Sequence, residues 1–133
     1  LGLNLRFDPE AARLAYAGAD AFLMPSMYEP CGLGQMFAMR YGTLPVVHAT
    51  GGLADTVVDL DAFPDTGNGF SFNEFTSDAL VEAAARAVKA FSEPKRARWN
   101  SAVSRGMAAD FSWKKSAEAY EALYRELSKK NEV

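Results

Sequence analysis

The segment spanning residues 25–35 holds the side chains and glycines best suited to chemistry in this 133-residue chain. It places the carboxylate of Glu29 just before a helix start that Gly32 and Gly34 frame. Because glycines leave the backbone open, the N–H groups of Gly32, Leu33 and Gly34 can be approached closely, which suits an anion or a sugar hydroxyl. A carboxylate that accepts from one hydroxyl, beside amides that donate to the next, suits a polyol. The alternative is that Glu29 only caps the helix and the glycines only permit close packing.

A second glycine-bearing loop, formed by Thr50, Gly51 and Gly52, follows another apolar run of the sequence. In open α/β sheets, ligands bind at the carboxyl ends of the strands, where helix N-termini point. We therefore expect this loop to lie beside the Glu29 loop at one edge of the sheet. Glycine pairs at strand-to-helix turns are also common for steric reasons, so this loop alone is weaker evidence of function.

Three further residues at expected strand or helix ends could contribute, and each has a structural alternative. Cys31 could be a thiolate at a helix N-terminus, but no base lies near it in sequence, which favours a small residue lining a pocket. His48 ends an apolar run and is more simply explained as a hydrogen-bonded structural histidine than as a base or ligand. Phe7 could stack on a nucleotide base, although packing alone also explains an aromatic residue there.

Short β-rich runs alternate with helical stretches, and helices alone follow; these elements must position the loops. The predicted strands cover residues 3–7, 21–24, 44–48 and 69–72. The predicted helices cover residues 9–17, 33–41, 53–58, 77–91, 94–107 and 113–127. The alternation predicts an α/β fold with a parallel sheet of about four strands and right-handed crossovers. We expect the second half of a Rossmann-like domain whose first half lies outside this chain, with the parallel α/β part over 1–91 and a helical tail over 92–133.

Local signals predict several helix ends and buried faces. Asp8 before a proline is a typical helix start, Thr76 or Ser77 should cap the long helix, and Gly42 suits a C-terminal cap. The apolar stripe of the long helix comprises Leu80, Ala84, Ala87, Val88 and Phe91. The stripe of the last helix comprises Trp113, Ala117, Tyr120, Leu123, Tyr124 and Leu127. We expect the last stripe to be core or interface, and both tryptophans, Trp99 and Trp113, to occupy core positions.

The composition excludes several classes of function. With 49% hydrophobic and 23% charged residues, the chain is that of an ordinary folded domain. The net charge of −3 argues against non-specific nucleic-acid binding, which needs a basic surface. No apolar run approaches the roughly 18 residues that a membrane helix needs. One cysteine and one histidine allow no internal disulfide and nearly exclude a structural zinc site, and no Gly-x-Ser-x-Gly run presents a serine nucleophile.

Several runs of the sequence strongly resemble the C-terminal domain of bacterial glycogen synthases and of plant or algal starch synthases. The runs are residues 19–33, 39–47 and 50–57, with Asp-Phe-Ser-Trp at 110–113. The Glu-Pro-Cys-Gly-Leu segment at 29–33 is the most specific of them. The resemblance covers essentially the whole chain.

The resemblance implies a retaining glycosyltransferase of the GT-B type, in which two Rossmann-like domains face each other across a cleft. Such an enzyme transfers glucose from ADP-glucose, or UDP-glucose in some relatives, to the non-reducing end of an α-1,4-glucan. It requires no metal, and we expect no cofactor, no nucleic acid and no membrane among its partners. The chain would then be part of the C-terminal, nucleotide-sugar-binding domain of an enzyme in the plastid stroma or the bacterial cytoplasm.

The resemblance also implies a role for each matching residue. Glu29 is the catalytic carboxylate of the cleft, which contacts the donor glucose and supports charge at the anomeric carbon. The backbone of residues 31–33 holds glucose hydroxyls, and the helix start at Gly34 faces the diphosphate. Residues 50–52 match a loop that lines the same cleft, and Phe7 falls where relatives have an aromatic residue against the adenine.

Departures from the family pattern bear on activity. Some relatives carry a threonine where this chain has Gly34, and the wider superfamily has a second glutamate where this chain has Phe37. The phosphate-binding arginine and lysine of the family, and its acceptor-binding residues, lie upstream of this chain, so the chain alone should be inactive. Two other functions stay open. One is a binding or assembly module, which an exposed sheet edge would let self-associate; the other is a different GT-B transferase, such as a sucrose-phosphate synthase relative.

Overall fold

The computed structural model describes residues 2–130, in which helices and parallel strands alternate. The strands are β1 (Ala21–Met24), β2 (Leu44–His48) and β3 (Phe70–Phe72). The helices are α1 (Pro9–Gly18), α2 (Gly34–Tyr41), α3 (Gly51–Thr56), α4 (Ser77–Ser92), α5 (Ala97–Ala108) and α6 (Trp113–Lys130), with a 3-10 turn at Pro94–Arg96. No helix within the described residues is long and apolar enough to cross a membrane.

The three strands form one parallel sheet in the order β1-β2-β3, which confirms the predicted α/β class. Every residue of the central strand β2 is buried. The prediction of a strand over residues 3–7 is wrong, so the sheet of the described chain has three strands rather than four. Leu3, Leu5 and Phe7 are all strongly exposed, because this segment has neither a neighbouring strand to pair with nor a surface that buries its apolar side chains.

The predicted helix ends largely agree with the structure. The side chain of Asp8 accepts hydrogen bonds from two N–H groups of the first turn of α1, and Thr76 caps α4 by accepting from Ala79. Gly42 ends α2 with a φ of 86°, a left-handed conformation that favours glycine. The single helix predicted over 94–107 is instead a 3-10 turn followed by α5, because Lys95 and Arg96 both have positive φ.

The main core lies between the sheet and the helices α4 and α5. Its buried members are Leu44, Val46, Leu60, Phe70, Phe72, Ala83, Ala87, Ala90, Trp99 and Ala102. Trp99 therefore occupies the core position expected of it. The stripe predicted for α4 is partly wrong: Val88 is 64% exposed, whereas Ala83 and Ala90 are buried. The small alanine side chains let the backbone of α4 come close to the sheet, which turns the larger Val88 outward.

The prediction that Trp113 is a core residue is wrong, since it is 85% exposed. The other large apolar residues of α6, namely Tyr120, Leu123, Tyr124 and Leu127, are exposed as well. The main core lies between the sheet and the helices α4 and α5, and no residue of α6 belongs to it. Its stripe therefore is not core here, and an interface remains the prediction for it.

An ion-pair network fastens the loop between α3 and β3 to α4. The carboxylate of Asp59 accepts from the N–H of Ser71 at 2.8 Å and from Nη1 of Arg86 at 3.0 Å, and Arg86 also pairs with Asp61. Burial opposes ionisation of Asp59, but the hydrogen bonds from Ser71, Arg86 and Ala62 outweigh it and hold the pKa of Asp59 below its usual value of 3.8.

We expect Asp59→Asn to lower the free energy of unfolding at pH 7 by about 2 kcal/mol, because half-buried Arg86 loses the most buried of its ionic acceptors. Since the pKa of Asp59 is lower in the folded than in the unfolded state, its stabilisation is present above pH 3.8 and is lost as the pH falls through the folded value. Urea denaturation of both proteins between pH 7 and pH 2 measures this. The gap between them should shrink with acid, and the exposed Asp65→Asn is the control. A gap that stays constant over this range would contradict the assignment.

Candidate functional site

Two loops at the carboxyl ends of β1 and β2 meet backbone to backbone. The N–H of Gly52 donates to the carbonyl of Glu29 at 3.0 Å. A Cβ atom on Gly52 would lie 1.9 Å from the carbonyl oxygen of Cys31, and one on Gly51 would lie 2.2 Å from that of Glu29. Gly51 also has a φ of 46°. Only glycine fits at either position, so the adjacency expected of the two loops is present and is sterically enforced.

The side chain of Glu29 is available for binding. The residue is partly buried, and its carboxylate has no hydrogen-bond or ion-pair partner among residues 2–130. The alternative that Glu29 serves as the cap of α2 is wrong, because the N-cap residue is Leu33 and no side chain caps the helix. Because the Glu29 carboxylate does not cap the helix and has no other partner among residues 2–130, it is free to accept a hydrogen bond from a ligand hydroxyl.

The start of α2 presents uncapped amide groups beside this carboxylate. Gly32 is buried and has a φ of 69°, whereas Cys31 and Leu33 are exposed. The first N–H groups of a helix have no partner inside it, and here no side chain supplies one. These donors and the positive end of the helix dipole suit an anion or a hydroxyl oxygen.

The absence of a side chain at Gly34 has a local reason. A Cβ atom there would lie 3.2 Å from the ring of Phe22 and 3.3 Å from the hydroxyl of Tyr16. These two rings pack edge to face with their centroids 5.2 Å apart. A threonine at this position, as some relatives carry, would require the two rings to shift, and the backbone N–H is what remains to face a ligand.

A buried polar network that the sequence analysis missed links the two loops. Nε2 of Gln35 donates to the carbonyls of Cys31 and Gly32, at 3.2 and 3.1 Å, and to Oγ1 of Thr56 at 3.1 Å. The hydroxyl of Thr56 in turn donates to the carbonyl of Gly52 at 2.6 Å. The one available signal was spacing: Gln35 and Thr56 follow Gly32 and Gly52 by about one helical turn, and Thr56 also lies within the run 50–57 that resembles the family.

His48 has a structural role, as its sequence position favoured. Its Nδ1 lies 2.9 Å from the carbonyl oxygen of Ser26 and its Nε2 lies 3.2 Å from that of Asn73. The ring packs against Phe72 and Phe75 and is 8% exposed. It therefore joins the end of β2 to the residues that follow β1 and β3, and neither nitrogen is free to activate Cys31.

The structure does not bring Phe7 to the other candidate residues. Its ring is 98% exposed and borders a shallow surface with Arg6, Asp8 and the first turns of α1. Residues 3–7 form no strand, so the strand that was expected to present Phe7 is absent. No group of three or more metal-binding side chains occurs among the described residues.

Both loops lack positive charge. Residues 25–36 and 49–58 contain neither lysine nor arginine. Arg40 lies in the last turn of α2, away from the helix start, and donates to the carbonyl of Met107 at 3.0 Å. The site therefore offers a carboxylate and amide donors, and its residues supply no cation for a phosphate.

We expect Gly52→Ala to lower the free energy of unfolding by about 2–3 kcal/mol, because the new methyl group must push the Cys31 carbonyl away. Gly18→Ala is the matched control: nothing lies within 4 Å of its Cβ position, and we expect it to be neutral or slightly stabilising. Urea denaturation gives the stability, and amide chemical shifts of residues 29–34 report the loop. Equal stability of the two alanine variants would contradict the contact.

Comparison with known proteins places this geometry in a family. The family model described as glycosyl transferases group 1 matches residues 5–105. The glycogen synthase of Geotalea daltonii is 58% identical over 125 residues, which are 94% of this chain and 25% of that protein. The glycogen synthase of Moorella thermoacetica is 50% identical over 131 residues, 98% of this chain and 26% of that protein. The chain thus spans about a quarter of the length of the curated relatives it matches.

Two solved structures are similar to this chain. The catalytic domain of starch synthase IV from Arabidopsis thaliana, bound to ADP and acarbose, superposes with a TM-score of 0.83 at 39% identity, over 92% of this chain and 25% of that one. Sucrose-phosphate synthase from Thermosynechococcus elongatus superposes with a TM-score of 0.63 at 31% identity, over 92% of this chain and 29% of that one. With the family model covering well over half of the residues and the parallel sheet superposing on a GT-B catalytic domain, this chain belongs to the glycosyl transferases group 1 family.

Proposed function

We propose that this chain is the donor-binding part of an α-1,4-glucan synthase that elongates glycogen or starch with retention of configuration. The observation that carries the proposal is the unpartnered carboxylate of Glu29, held beside the uncapped start of α2 by the backbone of Gly52. Similarity to bacterial glycogen synthases and to a starch synthase bound to ADP and acarbose supports ADP-glucose as the donor, with UDP-glucose as the alternative.

Each part of the site has a task in this proposal. The carboxylate of Glu29 accepts from a hydroxyl of the donor glucose and stabilises positive charge as it develops at the anomeric carbon. The backbone of residues 31–33 donates to neighbouring hydroxyls, and the first turn of α2 at Gly34 faces the diphosphate. Residues 50–52 hold this arrangement and line the same cleft. Phe7 is the proposed adenine contact, although its exposed ring borders only residues 4–15 here, so binding would have to bring it to the two loops.

The rest of the longer protein must complete the site. Charge on the leaving diphosphate needs preorganised cations, and residues 25–36 and 49–58 have none. Retaining transfer also needs an opposing surface that excludes water and positions the glucan acceptor. We therefore propose that the chain is part of the C-terminal domain of the synthase and is inactive by itself. The bacterial relatives favour a bacterial cytoplasm over the plastid stroma as its compartment.

Self-association is a second candidate property. The outer edge of β1 has no strand partner among the described residues, and Leu23 on this strand is exposed. An apolar cavity of about 220 Å³ lies beside it, between the strand and α4. An open edge of this kind favours pairing with another chain. A dimer in size-exclusion chromatography with light scattering supports this candidate, and a clean monomer at high concentration contradicts it.

We expect this chain to bind ADP-glucose with a Kd of about 1 mM or weaker, near −4 kcal/mol, because the cations for the diphosphate are missing. Glu29→Ala should weaken ADP-glucose binding several-fold while leaving ADP binding unchanged, since the carboxylate faces the sugar. Calorimetry and amide chemical-shift titration with both ligands measure these constants. Glu118→Ala, which removes an exposed carboxylate of α6, is the control. Micromolar binding by the native chain would overturn the argument on missing cations, and equal effects of Glu29→Ala on both ligands would overturn the sugar role.

A further inference from the structure

Gln35 is a buried polar residue whose hydrogen bonding is incomplete. Its side chain is 0% exposed, its Nε2 faces three acceptors, and its Oε1 has no partner. Turning the amide round would bring Oε1 against three oxygen atoms, so the orientation is fixed by those acceptors. An unsatisfied buried acceptor destabilises the folded chain. The Gln35 side chain thus holds the three oxygen atoms that its Nε2 contacts, while its unpartnered Oε1 lowers the free energy of unfolding.

The atoms held by Gln35 determine where the neighbouring amide groups point. In a trans peptide unit, the C=O and the following N–H point in opposite directions, and the described chain contains no cis peptide bond. Because the carbonyl of Cys31 is bound to Gln35, the N–H of Gly32 points away from the Gln35 side chain. The carbonyl of Gly32 is bound in the same way, so the N–H of Leu33 also points away from that side chain. These two amide donors lie three and four residues after Glu29 in the sequence.

Thr56 connects the Gln35 side chain to the second loop, at residues 50–52. Its hydroxyl accepts from Gln35 and donates to the carbonyl of Gly52, whose own N–H donates to the carbonyl of Glu29. The hydrogen bonds thus close a ring through Gln35, Thr56, Gly52 and the Glu29 loop. Displacing either side chain releases the amide donors and loosens the carboxylate at the same time.

We infer that Gln35 and Thr56 are positioning residues of the donor site, which aim the N–H groups of Gly32 and Leu33 at the ligand without touching it. The identity of the ligand rests on the proposed function, whereas the orientation of the amides does not. The position is suited to hydroxyls of a hexose, because a fixed pair of donors beside a carboxylate matches adjacent hydroxyl groups on a sugar ring.

The test removes the polar atoms of Gln35 and Thr56 and uses a threonine outside the ring as the control. Thr56→Val and Gln35→Met remove the polar groups at nearly constant volume, and Thr56→Ser is the conservative rescue. Thr43→Val is the control: Thr43 is fully buried, whereas Thr56 is half-buried, and the Thr43 hydroxyl lies within hydrogen-bonding distance of the carbonyls of Tyr16 and Ala19, outside the ring. Amide chemical shifts and hydrogen exchange of Gly32 and Leu33 in the ligand-free chain, together with ADP-glucose titration, are the measurements.

We expect Thr56→Val and Gln35→Met to move the Gly32 and Leu33 resonances, to speed exchange of these amides, and to weaken ADP-glucose binding about fivefold. Thr43→Val should lower stability without these changes, and Thr56→Ser should restore most of the native values. Unmoved Gly32 and Leu33 amides in Thr56→Val overturn the inference. If the native chain shows no measurable ADP-glucose binding, which the missing cations for the diphosphate would explain, the amide measurements still decide the positioning role. If Gln35→Met does not fold, the pair of Thr56 variants decides.

Discussion

The site depends on one close approach between two backbones. Gly51 and Gly52 lie so near the carbonyls of Glu29 and Cys31 that a single methyl group would collide with them. This contact brings the loop after β1 against the start of α3, and it leaves the Glu29 side chain pointing to no partner within residues 2–130. The adjacent parallel strands β1 and β2 make the contact geometrically available, because their carboxyl ends lie side by side at one edge.

Buried polar groups then convert this contact into a defined geometry. Gln35 and Thr56 bind the loop carbonyls from inside, and His48 joins the residues that follow β1 and β3. Each of these side chains forms hydrogen bonds with backbone carbonyls, and none of them pairs with a charged group among the described residues. Such bonds fix directions of peptide units, which is what a ligand recognised by backbone amides requires. Farther away, Asp59 and Arg86 fasten the neighbouring loop by charge.

The two loops carry groups for only part of the proposed donor. Their carboxylate and amides are suited to a sugar, but they carry no cation for a diphosphate. The relatives are about four times as long as this chain, which is consistent with a cleft whose second wall lies elsewhere in the protein. Under the proposed function, the sugar and the phosphates would therefore be bound by separate parts of the polypeptide.

The sequence alone determined features that depend on neighbouring residues. These are the alternation of short apolar runs with helices, the helix cap at Asp8, and the glycines that permit the two loops to meet. The tertiary structure decided features that depend on distant partners. Residues 3–7 alternate like a strand but have nothing to pair with, and Trp113 lies on an apolar stripe that nothing in residues 2–130 covers. In the sequence, Gln35 has no feature that sets it apart from other helix residues. Its hydrogen bonds in the site could not be predicted, because one of its acceptors, Thr56, is 21 residues away in sequence. Hydrophobic periodicity predicts which face of a helix or strand is apolar, whereas the tertiary structure decides which atoms, if any, contact that face.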